Sequence, residues 1–155
     1  MDLSLTSEQR LLQDSIQKFI STQYSISERN KFITNDHGYD NSNWQQFADL
    51  GWLAMTFSEE FGGLGGSLVD SMIMLEAFGK GLVVEPFLST VILFGAAVEL
   101  AGSQEQKQDI IPAIIEGNLI GTFAYAEPVE PTNLSAVQTK ATAEDSGFRL
   151  SGTKS

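Results

Sequence analysis

The spacing of apolar residues in the first two-thirds of the chain predicts a series of amphipathic helices. Leu12, Ile16 and Phe19 recur at the i, i+4, i+7 spacing that places side chains on one helical face. Thr6 precedes Gln9 by three residues, the capping-box spacing in which each side chain bonds a backbone N–H at a helix start. We therefore predict a first helix that starts at Thr6.

Three further pairs with capping spacing mark later helix starts: Ser42 with Gln45, Ser67 with Asp70, and Ser103 with Gln106. The polar segment 24–43 is expected to hold a short helix and a loop. The inner face of the helix after Ser67 is predicted to be lined by Leu68, Met72, Leu75 and either Phe78 or Gly79.

An apolar stretch, residues 86–101, follows Glu85. Proline is well placed in a first turn, so Glu85-Pro86 predicts the start of a helix. This helix is apolar almost all round and is shorter than the ~20 residues that a membrane span requires. We predict that it is buried among other elements. Pro112 is predicted to break or kink the following helix after Ile111.

The pattern changes to period two after Asn118. Phe123 and Tyr125 alternate with small residues, which predicts a strand over 119–126. A second strand is expected over 135–143, followed by a turn at 145–147 and a returning strand at 148–151.

The predicted fold class is mainly α. Residues 1–118 are expected to form an up-and-down helical bundle, and residues 119–155 the first strands of an incomplete β-barrel or sandwich domain. A two-stranded hairpin is marginal by itself, so we expect this chain to be one piece of a larger protein.

Composition narrows the possible partners. The formal net charge is -11 and no Lys/Arg cluster is present, which disfavours nucleic acid and anionic membrane surfaces. The chain has no cysteine, which excludes disulfides, thiolate metal sites and a cysteine nucleophile. A cytoplasmic location is expected, and no metal site is predicted.

Three local features admit a chemical role, and each is better explained structurally. The glycine-rich segment 62–66 could cradle phosphate, but it lacks the Gly-Lys-Ser/Thr that ends a P-loop, so we predict a turn. His37 lies in a polar loop and is expected to be solvated. Glu59 and Glu60 are adjacent and point apart, which favours a surface role over paired acid–base chemistry.

Several short segments, in this order and spacing, resemble the acyl-CoA dehydrogenase family: Asp2–Arg10, Leu50–Met55, Glu59–Gly65, Gly102–Lys107, Ile111–Gly117, Ala126–Pro128 and Gly147–Lys154. Within that family, Gly81–Leu88 and Tyr125–Pro128 are most similar to the small subunit of pimeloyl-CoA-type dehydrogenases. The resemblance covers nearly the whole chain.

The resemblance implies an FAD-dependent enzyme with helical, β and helical domains that performs α,β-dehydrogenation of an acyl-CoA thioester. In the family the flavin lies between the β-domain and the C-terminal helical domain, which also carries the catalytic base. This chain is therefore assigned no catalytic residue and is expected to be inactive alone. An electron-transfer acceptor protein and a homo- or hetero-oligomer are the implied partners.

The family pattern implies a cofactor site on the segment from Phe123 to Pro128. Phe123 and Tyr125 are candidate cofactor contacts, although core packing explains them equally well. Ala126 stands where the family often has a threonine, so backbone groups would have to bond the flavin there. Thr132 could replace a serine hydroxyl that contacts cofactor or acyl-CoA.

Two residues on the apolar helix, Phe87 and Thr90, are candidates for lining the acyl-chain tunnel. The leading hypothesis is thus the N-terminal part of an FAD-dependent acyl-CoA dehydrogenase. The alternative is a non-catalytic helical interaction or regulatory subunit that pairs with a catalytic acyl-CoA dehydrogenase chain.

Overall fold

Helices account for most of the first 115 residues. The computed structural model describes residues 4–130, 133–145 and 147–155. Its α-helices are α1 (Ser7–Gln23), α2 (Ile26–Phe32), α3 (Asn41–Asp49), α4 (Leu68–Gly81), α5 (Ala96–Ala101) and α6 (Gln104–Ile115). A 3-10 turn forms at Glu59–Phe61 and a π-helix at Leu88–Gly95.

Side-chain caps start five of the six described α-helices, α5 being the exception, and three of these caps match the predicted pairs. Complete capping boxes are present at the starts of three helices: Thr6 with Gln9 in α1, Ser67 with Asp70 in α4, and Ser103 with Gln106 in α6. The predicted cap Ser42 is wrong. Asp40 caps α3 instead, because its carboxylate accepts the N–H groups of both Ser42 and Asn43.

An aromatic cluster forms the centre of the helical part. Phe47 lies against four rings: it stacks on Phe78 with a centroid distance of 5.2 Å and also packs against Phe19, Trp44 and Trp52. Phe87 joins the cluster by an edge contact with Phe78 at 5.2 Å. These side chains come from five segments, so the cluster joins α1, α3, the turn that follows α3, α4 and the π-helix start around one core.

The predicted inner face of α4 is wrong in part. Leu68 is 88% exposed and Met72 is 55% exposed. The buried residues of α4 are instead Ser71, Ile73, Met74, Ala77 and Phe78. This helix is apolar on more than one face, so periodicity alone did not show which face meets α1 and the rest of the core.

Two backbone features differ from the prediction in detail. The apolar helix is π-helical over Leu88–Gly95 and continues as α5 without an intervening loop. Pro112 does not break α6, which runs through it to Ile115. Proline removes one backbone donor, and the surrounding packing of Ile111 and Ile114, both fully buried, holds the helix together.

The strand predicted over 119–126 is absent from the described residues. The observed strands, β1 (Lys140–Glu144) and β2 (Gly147–Ser151), form an antiparallel hairpin in which Lys140 pairs with Ser151. Alternation identified residues suited to a strand, but a strand also needs hydrogen-bonded neighbours. The described hydrogen bonds of 119–126 form no ladder: Leu119 bonds Ala113, Gly121 bonds the Thr90 side chain, Tyr125 bonds Phe123, and the Ala126 carbonyl accepts the Ser155 N–H.

The chain divides into two compact units, Met1–Thr122 and Phe123–Ser155. The hairpin belongs to the second unit, and every residue of its strands is exposed. The predicted turn residue Ser146 lies outside the described residues. Within the described part of the chain, no helix is long and apolar enough to cross a membrane.

Candidate functional site

The glycine-rich segment 62–66 is a folded turn whose donors are already used. The N–H groups of Leu64, Gly65 and Gly66 donate to backbone carbonyls at 2.7–2.9 Å. A phosphate cradle requires such N–H groups to be free and convergent. The segment therefore has a structural role, as its sequence predicted.

A buried carboxylate at the start of the apolar helix was not predicted as a functional feature. Glu85 accepts the Tyr24 hydroxyl proton at 2.6 Å and the Asn43 side-chain amide at 3.2 Å. The Tyr24 oxygen in turn accepts the Val84 N–H at 2.8 Å. Burial, and then the hydrogen bond to Glu85, raise the pKa of the Tyr24 phenol. This network joins α1, α3 and the segment that leads into the π-helix.

The two candidate tunnel residues, Phe87 and Thr90, are both buried. Phe87 is part of the aromatic core and also forms one wall of a surface cavity of about 360 Å³ with Leu88, Leu82 and Phe78. Thr90 donates its hydroxyl to the Gly121 carbonyl at 3.1 Å and accepts the Gly121 N–H at 3.3 Å. Thr90 thus anchors the chain that leaves the helical unit, and its role toward a substrate stays a prediction.

The segment 123–126 presents two aromatic side chains to its surroundings. Phe123 and Tyr125 are each about half exposed, at 49% and 48%, and their ring centroids lie 6.0 Å apart. Among the described residues, no partner engages the N–H groups of Ala124 and Ala126. Exposed rings beside free backbone donors can hold a planar heterocycle, whose face stacks and whose edge accepts hydrogen bonds.

Glu127, directly after this segment, is held by three donors. One carboxylate oxygen accepts the Gln138 N–H at 2.7 Å; the other accepts the Thr139 N–H and the Lys154 ammonium, both at 2.9 Å. These donors lower the pKa of Glu127 to about 2, and the Thr139 N–H has the largest effect. The side chain is only 6% exposed, yet its unit is small, so bonded neighbours rather than a deep core enclose it.

The remaining candidates do not assemble into a reactive site. Thr132 lies outside the described residues. His37 is exposed and its ring centroid lies 6.0 Å from that of Tyr39, while Glu59 and Glu60 are exposed in the 3-10 turn. No group of three metal-ligating side chains occurs in residues 4–130, 133–145 and 147–155. The described residues among these candidates are not brought together in the way that acid–base chemistry would require.

Comparison with known proteins identifies what this architecture is similar to. The model of the acyl-CoA dehydrogenase N-terminal domain matches residues 6–118. Acryloyl-CoA reductase (NADH) of Anaerotignum propionicum is 30% identical over 158 residues, covering 99% of this chain and 39% of that protein.

Solved structures agree with the sequence comparison. The structure of butyryl-CoA dehydrogenase from Megasphaera elsdenii is 26% identical with a TM-score of 0.81, covering 99% of this chain and 41% of that one. The ChsE4-ChsE5 complex from Mycobacterium tuberculosis is 27% identical with a TM-score of 0.83, covering 99% and 39%. The chain thus spans about two-fifths of the length of the relatives it matches.

Proposed function

Because this chain belongs to the acyl-CoA dehydrogenase family, we propose that it supplies the N-terminal part of an FAD-dependent dehydrogenase of acyl-CoA thioesters. The observation that carries the proposal is the family match over residues 6–118 together with alignment of 99% of the chain to relatives such as acryloyl-CoA reductase. When bound, FAD would supply the acceptor for the hydride that leaves the thioester's β-carbon.

The residues of segment 123–126 fit the flavin. The free N–H groups of Ala124 and Ala126 suit the hydrogen-bonding edge of an isoalloxazine ring, and the half-exposed Tyr125 ring suits its face. Ala126 has no side-chain donor, so we propose that backbone groups alone bond the ring there. Thr132 remains a proposed contact for cofactor or acyl-CoA.

We propose that the helical unit contributes to the acyl-chain site through the π-helix. Phe87 and Thr90 hold that helix in the core, and Leu88, which is 51% exposed, lies beside Phe87 on the cavity wall. We propose that Phe87 and Thr90 position an apolar wall that excludes water, since neither of these two side chains is free to transfer a proton.

The proposed activity needs more than these residues. Since the chain spans about 40% of its relatives, we propose that the 155-residue chain alone binds FAD only weakly and turns over no acyl-CoA. The missing catalytic base and the far wall of the flavin site would come from the remaining part of the family fold.

One experiment tests this proposal. The native protein is isolated by a tag at Met1 from the cells that encode it, and its mass, visible spectrum and oxidation of short acyl-CoA thioesters with an artificial electron acceptor are measured. We expect the spectrum of oxidised flavin and measurable turnover. A native protein that is colourless and stays so when FAD is added would rule the proposal out.

A second candidate function is a non-catalytic helical subunit that pairs with a catalytic dehydrogenase chain. Exposed apolar side chains in the helical unit favour it: Leu68 is 88% and Leu100 85% exposed, and both line one cavity of about 250 Å³. A related structure is a two-protein complex, ChsE4-ChsE5. Sedimentation of the chain with and without a catalytic acyl-CoA dehydrogenase chain from the same cells distinguishes the two functions, because a non-catalytic subunit forms a stable complex and has no activity of its own.

A further inference from the structure

The carboxylate of Glu127 connects three separate parts of the second unit. Its donors lie 11, 12 and 27 positions further along the chain, at Gln138, Thr139 and Lys154. Two main-chain N–H groups and one ammonium on a single buried carboxylate fix its position and its orientation.

A second bond ties the same place. The Ser155 N–H donates to the Ala126 carbonyl at 3.1 Å, directly beside the Lys154–Glu127 ion pair. Two bonds therefore connect residues 126–127 to residues 154–155. One bond is main-chain and the other is a charged side-chain pair.

The surroundings of this anchor are closely packed. A Cβ atom at Gly152 would overlap the Thr139 hydroxyl and approach the Thr139 Cα to 2.7 Å. Only glycine permits the strand end to approach Thr139 this closely. The backbone around Glu127 is thus defined by packing as well as by hydrogen bonds.

We propose that Glu127 is a positioning residue, whose carboxylate holds the adjacent segment 123–126 in the conformation that presents Ala124 and Ala126 N–H groups to the cofactor. This inference rests on the proposed function, because it assumes that segment 123–126 contacts the flavin. Glu127 itself contacts Gln138, Thr139 and Lys154 and is not assigned a contact with the flavin.

The charge on Glu127 is part of this role. Among the described residues, Lys154 is the charged group that contacts it. The two N–H donors and this ammonium favour the ionised carboxylate, so the anchor is intact throughout the neutral range. A neutral amide at the same position keeps one acceptor oxygen and loses both the ion pair and the second acceptor.

The test uses the ¹⁵N-labelled 155-residue chain and FAD as the probe, followed by amide NMR. In the wild type, weak FAD binding is expected to shift the amides of Ala124 and Ala126. In Glu127→Gln we expect this binding to weaken at least about tenfold, because small displacements of a positioned group have large effects on binding geometry. The Gln138 and Thr139 amide protons are expected to move upfield in the same variant, which shows that the anchor is broken.

Two further variants make the result specific. Glu144→Gln removes the same charge from an exposed ion pair with Arg149 in the hairpin and is expected to leave FAD binding unchanged. Lys154→Met removes only the ion pair, keeps both N–H bonds and is expected to weaken binding to an intermediate extent. If the hairpin signals of Glu127→Gln show that the second unit has lost its fold, FAD binding by Lys154→Met decides whether Glu127 has the positioning role.

The outcomes separate the two proposals. Equal FAD binding by the wild type, Glu127→Gln and Lys154→Met would overturn the positioning role while leaving the flavin assignment in place. A wild-type chain whose Ala124 and Ala126 amides ignore FAD, while the Gln138 and Thr139 amides still respond to Glu127→Gln, would overturn the flavin assignment and with it the positioning role.

Discussion

Two buried glutamates in this chain are stabilised by different kinds of donor. Glu127 has an ammonium and two N–H groups, whereas Glu85 accepts a phenol and a side-chain amide and has no salt bridge among the described residues. Burial of a carboxylate is costly unless donors replace its water, so each of these partners is required.

Replacing Tyr24 by phenylalanine tests the Glu85 network. Tyr24→Phe leaves one Glu85 oxygen and the Val84 N–H without their partner inside the protein. We expect the free energy of unfolding to fall by about 1–3 kcal/mol, the usual cost of a buried unsatisfied polar group. Urea unfolding at neutral pH measures this.

Tyr39→Phe is the matched control, because no hydrogen bond engages the Tyr39 hydroxyl among the described residues. Its unfolding free energy is expected to stay within about 0.5 kcal/mol of the wild type. Equal effects of the two substitutions would contradict the network's importance.

The low pKa of Glu127 predicts how the stability that its contacts provide depends on pH. Its folded-state pKa of about 2 lies below the ordinary value of 4.5. The stabilisation from its contacts is therefore fully present above pH 4.5 and is lost as the pH falls from 4.5 toward 2. A carboxyl-carbon NMR titration should place the Glu127 midpoint near 2, and a midpoint near 4.5 would show that the contacts do not form in solution.

At the scale of elements, the turn at 62–66 connects the 3-10 turn to α4 by folding back on the chain before it. Gly65 donates its N–H to the Phe57 carbonyl at 2.9 Å, and Gly62 and Gly65 adopt left-handed φ values of 88° and 63°. Glycine is required at position 63 for a different reason: the Phe57 backbone lies so close that it leaves no space for a side chain.

Gly63→Ala is expected to destabilise the helical unit, because the new Cβ atom would overlap the Phe57 carbonyl, which the backbone cannot easily move. Overpacking of this kind costs about 1–3 kcal/mol or more. Gly79→Ala is the matched control: a Cβ there meets nothing within 4 Å inside α4. It should stabilise the protein by up to about 1 kcal/mol, since alanine favours helix more than glycine does.

Thermal unfolding of both variants followed by circular dichroism checks the pair. The sign of the two effects is the critical result. If Gly63→Ala were as stable as the wild type, the close approach at Phe57 would not exist in solution.

At the scale of the whole molecule, the two units differ in how their structure is stabilised. The helical unit has a continuous aromatic and aliphatic core, while the hairpin strands β1 and β2 are exposed along their whole length. A two-stranded hairpin with little burial opens readily, whereas a packed core opens only with global unfolding.

Native-state hydrogen exchange is expected to show this difference. Amides of β1 and β2 should exchange at least about a hundredfold faster than those of the buried residues Ile111 and Ile114 in α6, since local opening requires far less free energy than global unfolding. The exchange rates of the 155-residue chain at neutral pH measure this. Comparable protection in both places would mean that the hairpin is stabilised by contacts beyond its own strands.

Most features that depend on neighbours in sequence were predictable, with the cap of α3 as the exception. The capping pairs at Thr6, Ser67 and Ser103 act across three residues, and all three are confirmed. The mainly helical fold class and the family resemblance are also confirmed. The roles of Phe87, Thr90, Phe123, Tyr125, Ala126 and Thr132 toward cofactor or substrate stay predictions.

Features that depend on distant partners were missed or wrong. The buried face of α4 includes Ser71 and excludes Leu68, because other helices determine which face is covered. The strand over 119–126 did not form, because alternation cannot supply a hydrogen-bonded neighbour. The Glu127 anchor was missed, since its partners are 11 to 27 residues away.

The amino-acid sequence by itself determined the starts of α1, α4 and α6, the mainly helical class and the family, since all three depend on local capping chemistry and on ordered short motifs. Only the tertiary structure decided which faces are buried, that the glycine-rich turn uses its own donors, and that Glu85 and Glu127 are enclosed by specific partners. The physical reason is that burial and hydrogen-bond satisfaction depend on which distant segments the folded chain brings together.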